Sequence, residues 1–194
     1  MMRILAFCWS NNTLIEMMAL FAKEISNRTD AKFYFMTNNI NGKVVFARYN
    51  LQAYTFHEFA KERMHREASV LDFETEQNLL GLHTGIRKYE TDKEASLQHL
   101  RFLAESYENA MDVIGPDIIL SWNGFVLVQS LPVELAKQRN RPYYLMERGL
   151  LPGTLAIDPI GVNYGSHIGG AKWQKKDFTK PTFDQAQKLE EYKQ

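Results

Sequence analysis

Residues 3–37 read RILAFCWSNNTLIEMMALFAKEISNRTDAKFYFMT, and the change of pattern inside this stretch decides the fold class. Arg3 to Trp9 is a short apolar run, of a length that suits one strand. Ser10 to Thr13 then supplies helix-capping residues, and Leu14, Met17, Met18, Phe21 and Ile25 recur at helical spacing. Lys32 to Thr37 is aromatic-rich and strand-like. Strand, helix and strand in quick succession make a βαβ unit, a connection that joins parallel strands.

The same alternation continues downstream. Lys43 to Tyr49 reads as another strand, and from Thr55 to about Leu82 the chain turns charged and helix-prone. Lys93 to Ile114 is a longer helix whose apolar stripe, Leu97, Leu100, Ala104, Tyr107, Met111 and Ile114, repeats at spacings of three and four. Gly115-Pro116 stops it. Asp117 to Ser121 is a buried strand, Gly124 to Arg139 a helix interrupted near Pro132, and Pro142 to Met146 a further strand. Strands alternating with helices predict an α/β fold: a doubly wound, mostly parallel sheet with helices on both faces. After Glu147 the chain is rich in glycine and proline with little periodicity through Gly170, and a polar, helical tail follows. The expected organisation is one α/β domain over residues 1–170, then a polar extension or the start of an interdomain linker over 171–194.

Composition narrows the function. With 45% hydrophobic and 24% charged residues in 194, the chain has the balance of a globular protein with a sizeable core. Twenty-three basic residues balance twenty-three acidic ones, so charge favours neither nucleic acid nor an anionic membrane as a partner. Cys8 is the only cysteine, which excludes an internal disulfide and suits a reducing compartment; its apolar surroundings predict a buried thiol. The first residues lack the apolar region and cleavage site of a secretory signal, and no stretch reaches the length of a membrane span. The expected location is the cytoplasm, with peripheral attachment to the inner membrane left open.

In an open parallel sheet, ligands bind beyond the carboxyl ends of the strands, where helix N-termini gather. That rule selects Trp9-Ser10-Asn11-Asn12, Trp122-Asn123-Gly124 and Glu147-Arg148-Gly149. Ser10, Asn12, Asn123 and Arg148 carry groups that hydrogen-bond hydroxyls or phosphate. The plainer alternatives are helix caps for Asn11 to Thr13, a turn for Asn123-Gly124, and core or rim positions for Trp9 and Trp122. Glu147 differs, because an acid closing an apolar strand is costly to bury without a partner. No G-x-G-x-x-G follows the first strand and no Walker-type loop occurs, so neither NAD chemistry nor ATP hydrolysis is supported. His57 and His65 complete no metal-ligand pattern, so no metal is expected, and no G-x-S-x-G elbow anchors a hydrolase triad.

Residues 147–166 read ERGLLPGTLAIDPIGVNYGS, too irregular for a helix and too rich in glycine, proline and polar residues for a strand, hence a structured loop. The run resembles the E-x-G-x-L-P-x-T-x-x-x-D-x-x-G-V-N-x-x-S region of capsular polysaccharide synthesis proteins, a family that includes β-Kdo glycosyltransferases acting on glycolipid or polysaccharide acceptors. The resemblance extends, more weakly, back to Pro116. It implies one Rossmann-like half, the N-terminal one, of a two-domain transferase of the GT-B kind. The remainder would come from a longer chain, from a partner domain, or from self-association. The family's acids fall on Glu147 and Asp158, and the asparagine and serine of G-V-N-x-x-S on Asn163 and Ser166.

Sugar transfer needs a carboxylate near the anomeric carbon, as nucleophile or as base. Glu147 is the first candidate and Asp158 the second, although Asp-Pro is also a common turn start. Arg148 would meet the carboxylate of a Kdo-like sugar or a phosphate; Lys172, Lys175 and Lys176 could join it, although solvated surface is the better reading of these lysines, while Asn163 and Ser166 would bind hydroxyls. The resemblance implies no cofactor beyond a sugar nucleotide such as CMP-Kdo as donor, with a glycan or glycolipid as acceptor. A non-catalytic carbohydrate- or sugar-nucleotide-binding module stays open as the alternative.

Overall fold

The computed structural model describes residues 1–8, 12–38, 40–60, 70–86, 93–124, 126–149 and 154–161. In chain order the elements are β1 (Arg3–Cys8), α1 (Asn12–Arg28), β2 (Lys32–Thr37), α2 (Ile40–Arg48), β3 (Gln52–Thr55), a 3-10 turn (Phe56–Glu58), α3 (Phe73–Ile86), α4 (Lys93–Ile114), β4 (Ile118–Trp122), α5 (Leu127–Gln138), β5 (Tyr143–Arg148) and β6 (Leu155–Asp158). They form one six-stranded sheet in the order β3-β2-β1-β4-β5-β6. The first five strands are parallel and β6 is antiparallel to β5. This is a doubly wound α/β sheet with the Rossmann strand order, whose switch point lies between β1 and β4. The expected polar tail lies outside the described residues.

The central strands read as unbroken apolar runs because both of their faces are covered. In β1, Leu5 and Phe7 pack with α4 and α5, while Ile4, Ala6 and Cys8 pack with α1. Phe33 and Phe35 of β2 extend the second core toward α2, where Phe46 stacks on Phe35 with ring centroids 3.9 Å apart. Cys8 is 4% exposed, and burial pushes its thiol up to about 12, so it is an inert core residue.

Three expectations change. Lys43 to Tyr49 is not a strand: it lies largely within α2, because Gly42 and Phe46, four residues apart, turn one helical face to the sheet. The strand of this region is β3, further on. Residues 147–166 are not loop throughout, since 155–158 pair with β5 as an edge strand. The helix expected to break near Pro132 also runs unbroken from Leu127 to Gln138.

That continuity has a physical source. Proline has no N–H, so Pro132 cannot bond the carbonyl four residues back, that of Val128. The Tyr107 hydroxyl donates to Val128 O at 2.9 Å instead. Tyr107 is 1% exposed, and burial raises its hydroxyl well above the usual phenol range, so it remains a donor. Ser121 of β4 likewise donates to Gln129 O at 2.7 Å, tying the start of α5 to the sheet. Tyr107→Phe is expected to cost about 1–2 kcal/mol in chemical denaturation, the penalty for a partly buried carbonyl left without a donor. An unchanged midpoint would show that Val128 O finds another donor.

Candidate functional site

The carboxyl ends of β1, β4 and β5, which carry or precede the three selected segments, lie side by side at one end of the sheet. Their residues differ in what they do there. Ser10, Asn163 and Ser166 lie outside the described residues, as do Trp9, His65, Lys172, Lys175 and Lys176. Asn12 opens α1. Trp122 is 7% exposed and belongs to the core against α1. Asn123 and Gly124 form a tight left-handed turn, with φ of 39° and 79°. The Asn123 N–H donates to Met146 O at 2.8 Å, pinning β4 to β5, and Ser130 Oγ donates to Gly124 O. Turn chemistry therefore accounts for the Asn123 backbone.

Glu147 and Arg148 end β5, and strand alternation sends them to opposite faces. Glu147 falls on the face of Tyr143 and Leu145, the α5 side; Arg148 falls on the face of Met146, the α1 side, and is exposed. Glu147 is half-buried, so the expected cost of burying it is largely avoided; its Oε1 accepts from the Arg148 N–H at 3.1 Å. Asp158 is 8% exposed, and its Oδ1 accepts from the N–H groups of Ile160 and Gly161 at 2.8 and 3.0 Å. It holds the turn that follows β6.

The antiparallel pairing brings the two acids together. Leu145 faces Asp158 and Glu147 faces Ala156 across the ladder. Residues directly opposed in such a ladder share a face. Glu147 and Asp158 are therefore diagonal neighbours on one face, a juxtaposition invisible while the segment reads as a loop.

Gly149 makes this hairpin possible. Its N–H donates to Thr154 O at 2.8 Å, closing β5 and β6 around residues 150–153. A Cβ at Gly149 would lie 2.1 Å from Thr154 Oγ1 and 3.1 Å from the Thr154 carbonyl carbon. Because one obstacle is backbone, rotating Thr154 does not relieve the clash. Gly149→Ala is expected to destabilise by about 1–3 kcal/mol and to displace Glu147, and the double variant with Thr154→Ser is not expected to recover fully. Wild-type stability in Gly149→Ala would show that the hairpin tolerates a wider closure.

Beside Glu147, on the same face, lies a groove of 290 Å³ between α3, α5 and β5. Leu145, two residues before Glu147, forms part of its wall. Its polar residues come from separate helices and make no motif. In the first turn of α5, Gln129 is 8% exposed and its Oε1 has no partner among the described residues; it borders a separate cavity of only 10 Å³, room for about one water. No group of three or more histidine, cysteine, aspartate or glutamate residues able to hold a metal occurs among the described residues. Nor is any described helix long and apolar enough to cross a membrane.

No protein-family model and no curated protein matches the sequence. Solved structures with a similar arrangement include a UDP-GlcNAc 2-epimerase from Neisseria meningitidis bound to UDP-GlcNAc, at 13% identity and a TM-score of 0.48, covering 79% of this chain and 34% of that one. A UGT transferase from Siraitia grosvenorii in complex with UDP matches at 8% identity and 0.43, covering 75% and 27%. CalG4, the calicheamicin glycosyltransferase, matches at 14% and 0.41, covering 74% and 32%. The chain thus spans about a third of the length of these structures. At such identities and scores, function is left to the residues of the site.

Proposed function

We propose that this chain is one half of a sugar transferase of bacterial surface polysaccharide synthesis, with Glu147 as its reacting carboxylate. The observation that carries the reading is the position of Glu147: at the carboxyl end of β5, half-buried, on the same face as Asp158, within the segment that resembles capsular polysaccharide synthesis proteins. In this reading Glu147 accepts the proton of the acceptor hydroxyl as that oxygen bonds to the sugar's anomeric carbon, and the anomeric carbon–phosphate oxygen bond breaks to release CMP. Asp158, fixed by its turn, is the second acid of the face.

The donor is a CMP-sugar carrying an acidic sugar such as Kdo, and the acceptor a glycan or glycolipid at the cytoplasmic side of the inner membrane. Ser10, Asn12, Asn123, Asn163 and Ser166 bind hydroxyls, and Arg148, on the opposite face from Glu147, meets a phosphate or carboxylate entering from the α1 side. A second Rossmann-like domain, or a second copy of this chain, closes the cleft.

CMP release from CMP-Kdo, measured with the chain in its complete assembly and a surface-glycan acceptor, tests the reading. Release that needs both acceptor and chain supports it. Glycan binding by calorimetry without any CMP release would instead favour a non-catalytic carbohydrate-binding module, the reading to which the groove beside β5 lends weight.

A further inference from the structure

The groove between α3, α5 and β5 has the make-up of a site for an uncharged sugar ring. Leu79, Val133 and Leu145, all buried, give it an aliphatic floor, and half-buried Tyr143 adds an aromatic wall. Around these stand an amide, Asn78, a carboxylate, Glu134, an ammonium, Lys137, and the hydroxyls of Thr75 and Ser130, which donate to Asp72 Oδ2 and Gly124 O and so offer the groove only acceptor oxygens. Glu134 and Lys137 pair at 2.8 Å, so the rim holds donors and acceptors without net charge. The Lys137 ammonium also lies 5.8 Å from the Tyr143 ring centroid. An alkyl chain has no use for five polar groups, and an anion would meet Glu134 as readily as Lys137. A pyranose suits both halves: its C–H face packs on the apolar surface and its hydroxyls reach the rim. The volume, 290 Å³, sits at the lower limit of ligand pockets, roughly 300–1,000 Å³, and so fits one ring, not a nucleotide.

We propose that this groove is a subsite for one neutral pyranose of a glycan chain. Leu145 is two residues from Glu147 on the same face, about 7 Å along the strand, on the order of the step between adjoining sugars. A glycan seated here would present its next unit toward Glu147. The groove's affinity for sugar is independent of catalysis, while its role as an extended acceptor site rests on the transfer reading above.

Methyl NMR of the full chain, titrated with N-acetylglucosamine, chitotetraose and cellotetraose, tests this. The methyl signals of Leu79, Val133 and Leu145 are expected to shift with at least one tetrasaccharide, which should bind at least tenfold more tightly than the monosaccharide. Tyr143→Ala is expected to weaken that binding at least tenfold and Tyr143→Phe to retain most of it. Asn78→Ala, an exposed change on α3 that keeps the fold, is expected to weaken it severalfold. Shifts absent from these methyls with all three probes, or binding indifferent to both Tyr143→Ala and Asn78→Ala, would overturn the subsite. Glu147→Gln separates the two readings: tetrasaccharide binding should survive in it. Methyl shifts in a protein that never releases CMP would sink the transfer reading and leave the subsite standing.

Discussion

Glu147→Gln is expected to lower the rate of sugar transfer by about 10²–10⁴-fold, the range of a lost general base, while leaving the unfolding free energy within about 0.5 kcal/mol of wild type. The contrast follows from the site. Among the described residues its side chain accepts one hydrogen bond, from the neighbouring Arg148 N–H, which a glutamine carbonyl also satisfies, and the residue is half-buried at a strand end. Glutamine keeps shape and hydrogen bonding and loses only the ability to take a proton. The loss should fall on kcat with KM nearly unchanged, as for an interaction made only in the transition state. Transfer at the wild-type rate would remove Glu147 from the chemistry. A matching loss of stability would assign it a structural role instead.

The second large effect lies away from the site. Glu76 of α3 is 3% exposed, and Arg101 of α4 meets it with two hydrogen bonds, Nε to Oε1 at 2.8 Å and Nη2 to Oε2 at 3.0 Å. Arg101→Met is expected to cost about 3 kcal/mol, near the lower end for breaking a buried ion pair, because the Arg101 side chain is itself 35% exposed and partly screened. Adding Glu76→Met should restore most of the loss, since two packed apolar residues carry no desolvation penalty. Denaturant unfolding of both variants checks this cycle. A cost under about 1 kcal/mol for Arg101→Met would mean the pair behaves as a surface salt bridge. Because α3 carries Thr75, Asn78 and Leu79, the same variant should also loosen one wall of the sugar groove.

How far the sequence discloses this molecule depends on how strongly each segment is patterned. The β1-α1-β2 unit, α4, β4 and β5 are plain, because burial on two faces demands apolar runs and burial on one demands a helical stripe. Residues 43–49, KVVFARY, read as strand on local character, yet 43–48 are helix, with Phe46 packed on Phe35. β3 and β6 have only four residues each and sit at the sheet's edges, where no alternation of pattern is required.

The site divides in the same way. Glu147 is legible as an acid at a strand end. Its pairing with Ala156, its diagonal relation to Asp158 and the opposite orientation of Arg148 depend on the hairpin, and only Gly149 hints at that. The groove has no signature at all: Asn78, Ser130, Glu134 and Lys137 look like ordinary helix residues until α3 and α5 flank the same strand.

The bond from Tyr107 to Val128 also bears on the order in which the molecule assembles. A helix usually closes its own ladder from residues within one turn, but α5 takes one of its partners from 21 residues upstream. The first turns of α5, which follow the carboxyl end of β4, are thus completed only once α4 has docked. Amide protons there should exchange with solvent at the same pace as those of α4, in one cooperative opening, and this end of the sheet should be no more labile than the core beneath it.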